Sequence, residues 1–154
     1  MSVFDPRAVR RAFGRAASTY TQAAALQRVL DLGSGPGSAA AALKAKWGRK
    51  SDVVAMDLAL PMLREARAKS RFWRPIHAVQ GDAQALPFAD GAFDLVFSSL
   101  CLQWVADLPK ALGELRRVMR EGGLLVFSTF GPDTLIELRE AYVQAGFEPP
   151  LSPF

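Results

Sequence analysis

The sequence predicts an α/β domain: a parallel sheet with helices packed on both of its faces. Two observations predict it. Short, nearly unbroken apolar runs alternate with segments of helical period, and the first run ends in a glycine-rich stretch, DLGSGPG, at residues 31–37. Continuous apolar strands belong to a sheet covered on both sides, and crossovers between such strands are right-handed. A chain of 154 residues, half of them hydrophobic, suffices for one domain with a real core.

The chain opens with DPRAVRRAFGRAASTY, residues 5–20, which reads as an amphipathic helix. Asp5 is placed as N-cap and Pro6 suits the first helical position. Val9, Phe13, Ala16 or Ala17, and Tyr20 recur at three- to four-residue spacing, while Arg7, Arg11 and Arg15 recur every four on another face. Val29–Leu32, an apolar run ended by glycines, is a buried strand. Ser38–Trp47 is alanine-rich and helical. Asp52–Asp57 (DVVAMD) is the second strand. Pro61–Ser70, with an early proline and alternating charges, is a helix. Ile76–Gly81 is the third strand and Phe93–Ser98 (FDLVFS) the fourth. Leu108–Arg120 is a helix with apolar Leu108, Leu112, Leu115, Val118 and Met119. Gly122 and Gly123 turn the chain into a fifth strand, Leu124–Thr129. Thr134–Ala145 is the last helix, and the prolines of GFEPPLSPF stop regular structure. The sequence shows no repeat, no low-complexity tract, no second domain and no apolar run long enough to cross a bilayer.

Composition excludes several classes. One cysteine, Cys101, rules out an internal disulfide framework and a multi-cysteine metal site. One histidine, His77, argues against a histidine-based metal site and a Ser-His-Asp triad; alternating along the third strand, it reads as a structural histidine. Cys101 reads as buried and inert. The net charge is +4, and residues 1–28 hold five arginines against one acid, Asp5, so the remainder is neutral. That asymmetry fits a localised acidic partner, or simply a solvated face on a packed helix. Nucleic acid is disfavoured as that partner, because the charge is confined to one short helix with no exposed aromatic stripe.

The glycine loop carries the chemistry. Glycines there permit positive φ and close backbone approach, and the following helix offers free N–H groups to an anion. Ligands of open α/β sheets bind beyond the carboxyl ends of the strands. The dinucleotide fingerprint is G-x-G-x-x-G, whereas here Asp31, Gly33, Gly35 and Gly37 form D-x-G-x-G-x-G, with Ser34 inside. Asp57 ends the second strand, where a carboxylate accepts ribose hydroxyls. Leu58 directly follows it; Met62, a turn later, is either core or part of the same apolar wall. Asp82 and Ala83 follow the third strand.

This loop resembles motif I of the class I S-adenosylmethionine-dependent methyltransferases. Leu86-Pro87-Phe88 and Phe93-Asp94 match the same family's approach to its fourth strand. The resemblance implies a Rossmann-like sheet of order 3-2-1-4-5, with S-adenosyl-L-methionine as cofactor. Asp31, Gly33, Ser34, Gly35 and Gly37 would hold its methionine half, Asp57 its ribose, and Leu58, Met62, Asp82 and Ala83 its adenine; Ser98, ending strand four, is a further cofactor-binding candidate.

A narrower resemblance rests on Phe13-Gly14-Arg15-Ala16-Ala17 with Tyr20 and AALQ at 24–27, on SSLCLQWVADLPKALGELRRVMREGG from Ser98, and on FSTFGPDTLIELREAY from Phe127. Together these resemble the malonyl-acyl-carrier-protein O-methyltransferases of biotin synthesis. The implied reaction is methyl transfer to the free malonyl carboxylate, with an acidic acyl-carrier protein as partner, steered by the basic helix. A carboxylate with a pKa of about 4 is ionised at pH 7 and needs no general base; no convincing acid–base pair is present. Positioning and exclusion of water would then do the work. Positioning residues would be Tyr20 from the N-terminal helix and Ser98, Ser99, Leu100, Gln103 and Trp104 after strand four. The other readings are an amphipathic anchor for Tyr20, backbone satisfaction for Ser98 and loop closure for Gln103 and Trp104. Arg139 and Arg15 are candidates for binding the malonyl carboxylate. The expected protein is a cytoplasmic monomer, with no metal, nucleic acid or membrane.

Two rivals share parts of these motifs: a mitochondrial complex I assembly factor linked to arginine hydroxylation, and a quinone-type small-molecule methyltransferase. An arginine-rich, acid-poor N-terminus also resembles a transit peptide, but the resembling family carries that helix itself. The chain further departs from the family. Strands six and seven are missing, leaving strand five as an edge. Connections usually take about two to six residues, yet only Arg28 separates LQ from strand one. The expectation is a basic substrate-side segment, 1–27, and an incomplete cofactor domain, 28–154, with an internal shortening and uncertain activity.

Overall fold

The computed structural model describes residues 27–47, 51–131 and 133–147; Tyr20, Arg15 and the basic N-terminal helix lie outside them. Five strands alternate with four helices: β1 (Arg28–Leu32), α1 (Ser38–Trp47), β2 (Asp52–Asp57), α2 (Leu60–Ala68), β3 (Ile76–Gln80), β4 (Phe93–Ser99), α3 (Leu108–Val118), β5 (Met119–Ser128) and α4 (Ile136–Gln144). A single turn of 3₁₀ helix, Leu102–Trp104, follows β4. All strand pairings are parallel and the order is β3-β2-β1-β4-β5, as the resemblance implies.

Side-chain alternation along the strands builds the two faces. Leu30, Leu32, Met56 and Val96 point to one face and pack with Ala111, Leu115 and Val118 of α3. Val29, Val53, Ala55 and Leu95 point to the other and pack with Ala40 of α1 and Ala66 of α2. Both layers are fed by the same strands, so β1 and β4 are the most deeply buried, and their polar residues Asp31, Asp94 and Ser98 are buried with them. Local chemistry sets the helix starts. Asp107 caps α3 by accepting the Lys110 backbone N–H at 2.9 Å, with Pro109 in the first turn. Pro61 sits in the first turn of α2.

The α2 helix ends at Ala68 rather than Ser70 and α4 starts at Ile136 rather than Thr134, and the junction of α3 with β5 differs most from expectation. The α3 helix ends at Val118, and β5 begins at Met119 with Gly122 and Gly123 inside it. Met119 pairs with Phe93, and Leu124 with Leu95. The four residues between them oppose Asp94 alone, so the glycine pair forms a bulge rather than a preceding turn. Gly122 adopts φ +73°, and a Cβ on Gly123 would stand 2.8 Å from the Arg120 carbonyl oxygen.

Asp94 receives the chain where β1 begins. Its Oδ2 accepts the backbone N–H groups of Gln27 and Arg28, each at 2.7 Å. Its Oδ1 pairs with Arg120 at 2.6 Å across the bulge. One buried carboxylate thus ties the start of β1 to β4 and to β5.

Asp94→Ala should therefore lower stability by about 3 kcal/mol, because it removes the carboxylate that pairs with Arg120 and the acceptor of two N–H donors. Asp94→Asn, which keeps an acceptor oxygen, should lose less. Urea unfolding midpoints of the two variants check the ranking; equal midpoints would show that the clamp contributes nothing.

Candidate functional site

The carboxyl ends of β1, β2, β3 and β4 open into a cavity of about 310 Å³. Its floor is Leu32, Gly33 and Met56. Asp57 and Leu58 form one wall, Gly81 to Gln84 a second, and Leu100, Cys101 and Trp104 to Ala106 a third. The order of strands places the site: β1 neighbours β2 on one side and β4 on the other, so the loops after all three converge.

Each glycine of the loop has its own task. All three have positive φ. A Cβ on Gly33 would meet the Cβ and the sulfur of Cys101 at 2.4 Å, so the missing side chain lets the β4 turn close on the loop. A Cβ on Gly37 would meet Ala66 Cβ at 2.5 Å, so this glycine lets α2 pack against the start of α1. Gly35 faces open space and donates its N–H to Asp57 Oδ2 at 2.8 Å.

The loop's N–H groups are turned inward. Gly33 and Ser34 both donate to the Met56 carbonyl, and Gly37 to that of Ser34. They leave no nest for a pyrophosphate. Among the described residues, the cavity wall carries two carboxylates, Asp57 and Asp82, and no lysine, arginine or histidine. A third carboxylate, Asp31, lies buried beneath the loop. Its pKa is raised to about 7, first by burial, with Asp57 adding repulsion and the Ala40 N–H opposing. One of its oxygens, Oδ2, is buried without a hydrogen bond, as are Ser98 Oγ and Gln103 Oε1. Acidic walls and unmatched acceptors suit a polar ligand carrying positive charge, and disfavour a polyphosphate.

The other expected residues fall as follows. Asp57 ends β2, and its Oδ1 accepts the Ala59 N–H at 2.8 Å. Each oxygen therefore holds one backbone donor and keeps capacity for another. Asp82 opens a tight turn in which the Gln84 backbone N–H and side-chain amide bind its carboxylate and hold its pKa below the ordinary value. Leu58 is 69% exposed over the cavity, as is Trp104. Ala83 is buried in the wall. Ser98 is fully buried; it lies close enough to the Cys101 thiol to temper its pKa but without hydrogen-bond geometry. Ser34 is buried within the loop. Gln103 folds back, donating to the Leu100 carbonyl at 2.8 Å. Ser99 shares a 3.0 Å hydroxyl contact with Ser128. Arg139 is half-buried on α4 and outside the cavity lining.

Three expectations are corrected. Met62 is neither core nor cavity wall: it is 39% exposed on α2, because Leu63 and Ala66 take the buried positions. His77 is exposed on β3, bordering a different hollow, with no hydrogen bond among the described residues, so it is not a satisfied structural histidine. Cys101 is half-buried and forms part of the cavity wall. Its inertness stands, since burial raises its thiol pKa.

Sequence reasoning missed Gln84 and Val105. Gln84 also accepts the Asp107 N–H at 3.0 Å, joining two cavity loops. Nothing distinguishes a loop glutamine with that task from a solvated one. Leu100 holds φ +52°, anchored by its N–H to the Ser128 carbonyl at 2.9 Å. A left-handed leucine costs about 1–2 kcal/mol; Leu100 carries that strain at the cavity, and Leu135, at φ +54°, carries it at the start of α4. Beneath the second wall, Arg117 reaches the Leu86 and Phe88 carbonyls and Asp90, and pairs with Glu114 at 2.8 Å. The pairing drives the Glu114 pKa down to about 2. Among the described residues, no cluster of three metal-ligating side chains occurs and no helix is long and apolar enough to cross a membrane.

Comparison with known proteins gives concordant matches. Residues 30–127 match the family model described as a methyltransferase domain. A malonyl-[acyl-carrier protein] O-methyltransferase of Xylella fastidiosa is 45% identical over 172 residues, covering 99% of this chain and 58% of that protein. The biotin biosynthesis bifunctional protein BioHC of Cellvibrio japonicus is 38% identical over 161 residues, covering 91% of this chain and 30% of that protein. Among solved structures, an S-adenosylmethionine-dependent methyltransferase from Mesorhizobium loti superposes with a TM-score of 0.63 at 30% identity, covering 75% of this chain and 53% of that one. The chain thus spans little more than half the length of the Xylella relative. That alignment also runs over 172 positions against 154 residues here, so the relative carries residues inside the matched region that this chain lacks.

Asp31 gives the site a pH signature. An unfolded aspartate ionises near pH 3.8, whereas the folded one keeps its proton up to about pH 7. The folded state therefore loses stability as pH rises between those values, by up to about 4 kcal/mol, and levels off above. Urea unfolding from pH 4 to pH 8 should show that slope in the wild type and a flatter profile in Asp31→Asn. Parallel profiles would refute the assignment.

Proposed function

The chain belongs to the methyltransferase-domain family, and from that membership we propose that it binds S-adenosyl-L-methionine in the cavity at the carboxyl ends of its strands. We further infer that it methylates the free carboxylate of a malonyl group held on acyl-carrier protein, an early step of biotin synthesis. One observation carries the cofactor: a wall with two carboxylates and no cation, beside a glycine loop whose N–H groups are spent internally. The acceptor follows from the name and extent of the Xylella relative, aligned along nearly the whole chain.

When bound, the cofactor supplies a methyl group activated by a neighbouring sulfonium. The chain's own residues then have distinct tasks. Asp57 accepts the ribose hydroxyls with the capacity its backbone donors leave free. Asp82 and Ala83 border the adenine edge and Leu58 covers its face. Asp31, ionised by an approaching ammonium, provides its unmatched oxygen. Trp104 lines the acceptor's approach, Gln103 and the buried Ser98 shape the loop behind it, and Tyr20 of the basic N-terminal segment, residues 1–27, is the further positioning candidate.

The acceptor carboxylate is already ionised at neutral pH. No residue need act as a base, which agrees with a cavity wall lacking histidine and lysine. Catalysis by these residues consists of alignment for in-line attack and displacement of water. The acceptor's charge calls for a cation from outside the described wall; Arg15 and Arg139 are the candidates. The chain acts in this reading as a cytoplasmic monomer.

Calorimetry should show S-adenosyl-L-methionine binding that strengthens as pH rises through about 7, with release of the Asp31 proton. Asp57→Ala should weaken it about 30-fold or more, since charged hydrogen bonds contribute about 1.5–3 kcal/mol each. Mass spectrometry should then detect a methyl ester on malonyl-carrier protein. Methylation of a quinone, or modification of an arginine peptide, with malonyl-carrier protein untouched, would overturn the acceptor.

A further inference from the structure

A second, larger hollow of about 600 Å³ lies on the opposite face of the sheet, between α1, α2 and the turn leading into β3. Its wall holds Lys44, Lys69, Arg71, Arg74 and the Trp73 indole, and no carboxylate. Lys44 is almost fully buried and its amine donates to the Ser51 carbonyl. Lys69 donates to the Pro36 carbonyl at 2.5 Å and to Ser38 Oγ at 3.2 Å, tying this surface to the glycine loop. Arg71 and Arg74 are exposed and face each other across a bridged turn, and their guanidinium groups make no ion pair among the described residues. The turn presents two aromatic rings to solvent: Phe72 is 97% exposed and Trp73 59%.

Resting on the function proposed above, we propose that this basic, aromatic-tipped turn docks the acidic carrier protein that delivers the acceptor. Residues 64–74 hold five basic side chains against one acid, Glu65. That concentration is invisible in the net charge because acids elsewhere cancel it. Charge of one sign steers an acidic partner and fixes its orientation. Arginine and tryptophan are the side chains that anchor protein interfaces, and exposed rings flanked by arginines form such an anchor. An aromatic ring that is 97% exposed has no role within this fold.

Geometry connects the docking turn to the cavity. The α2 helix spans nine residues, or about 13 Å. It begins two residues after Leu58, which lines the cavity, and ends just before the basic turn. A flexible prosthetic arm has about one short helix length to cross.

The test compares the full chain with Arg71→Glu/Arg74→Glu and, separately, Phe72→Ala, whose exposed side chains support no packing. Calorimetry with carrier protein lacking its arm should show affinity falling about tenfold or more in the charge-reversed variant. The wild-type affinity should weaken as salt rises. Methylation of malonyl-pantetheine, which has no protein to dock, should be unchanged in both variants while KM for malonyl-carrier protein rises. Carrier binding and KM equal to wild type in both variants would overturn the docking surface. Selective binding of an RNA oligonucleotide instead of the carrier would overturn it too. Failure of the wild type to methylate either malonyl thioester would overturn the proposed function, while the arm-less binding assay still reads the docking surface.

Discussion

The architecture turns on what the glycine loop lacks. Three side chains are missing within five residues, and each absence creates a contact between elements that otherwise could not meet. Gly33 admits Cys101 from the turn after β4, and Gly37 admits Ala66 from α2. Gly35, in a backbone region that other residues enter at a cost, aims its N–H at Asp57 on β2. The loop is therefore a junction of β1, β2, β4, α1 and α2. The cavity is bounded by the elements this junction gathers, so its shape follows from backbone approach more than from any large side chain.

A second junction, at the other end of the strands, makes the first possible. The central strand must start in register to deliver its loop to the right height. Asp94 sets that start by receiving two N–H groups of the incoming chain and holding Arg120 across the β5 bulge. A helix continuing ahead of β1 is not required for this, because the N–H donors of Gln27 and Arg28 are satisfied from β4.

Most of the architecture was legible because its signals are local. Apolar runs bounded by glycine and charge gave four strands within a residue of their observed bounds, and the spacing of the loop's glycines pointed to the ligand class. What was illegible depends on partners distant in sequence. Met119 and Arg120 continue the helical pattern of α3, and only pairing with Phe93 and Asp94 draws them into β5. Met62 looked apolar enough for the core, but the register of α2 gives that place to Leu63 and Ala66. Cys101 becomes a cavity wall only because a glycine 68 positions earlier has no side chain. The engagement of Asp57 with Gly35 was equally hidden, since neither residue type nor spacing says which backbone donor a carboxylate will meet.

Charge is sorted across the molecule by the same logic. Carboxylates collect in and under the cavity, and arginines with no ion pair among the described residues collect on the turn beyond α2. Separation keeps each set from neutralising the other. Had Arg71 or Arg74 reached Asp57, the carboxylate would be occupied and its pull on a cation lost. The carboxylates are also graded by environment. Asp82 is held ionised by the Gln84 donors at the surface, while Asp31, walled off from water, holds its proton until about pH 7. In the proposed function, a ligand bearing positive charge meets the fixed charge of Asp82 at the cavity wall first and the buried Asp31 beneath the loop last. Proton loss from Asp31 is then coupled to occupancy of the site, because the same burial that disfavours its charge in the empty loop strengthens its attraction once a cation is near.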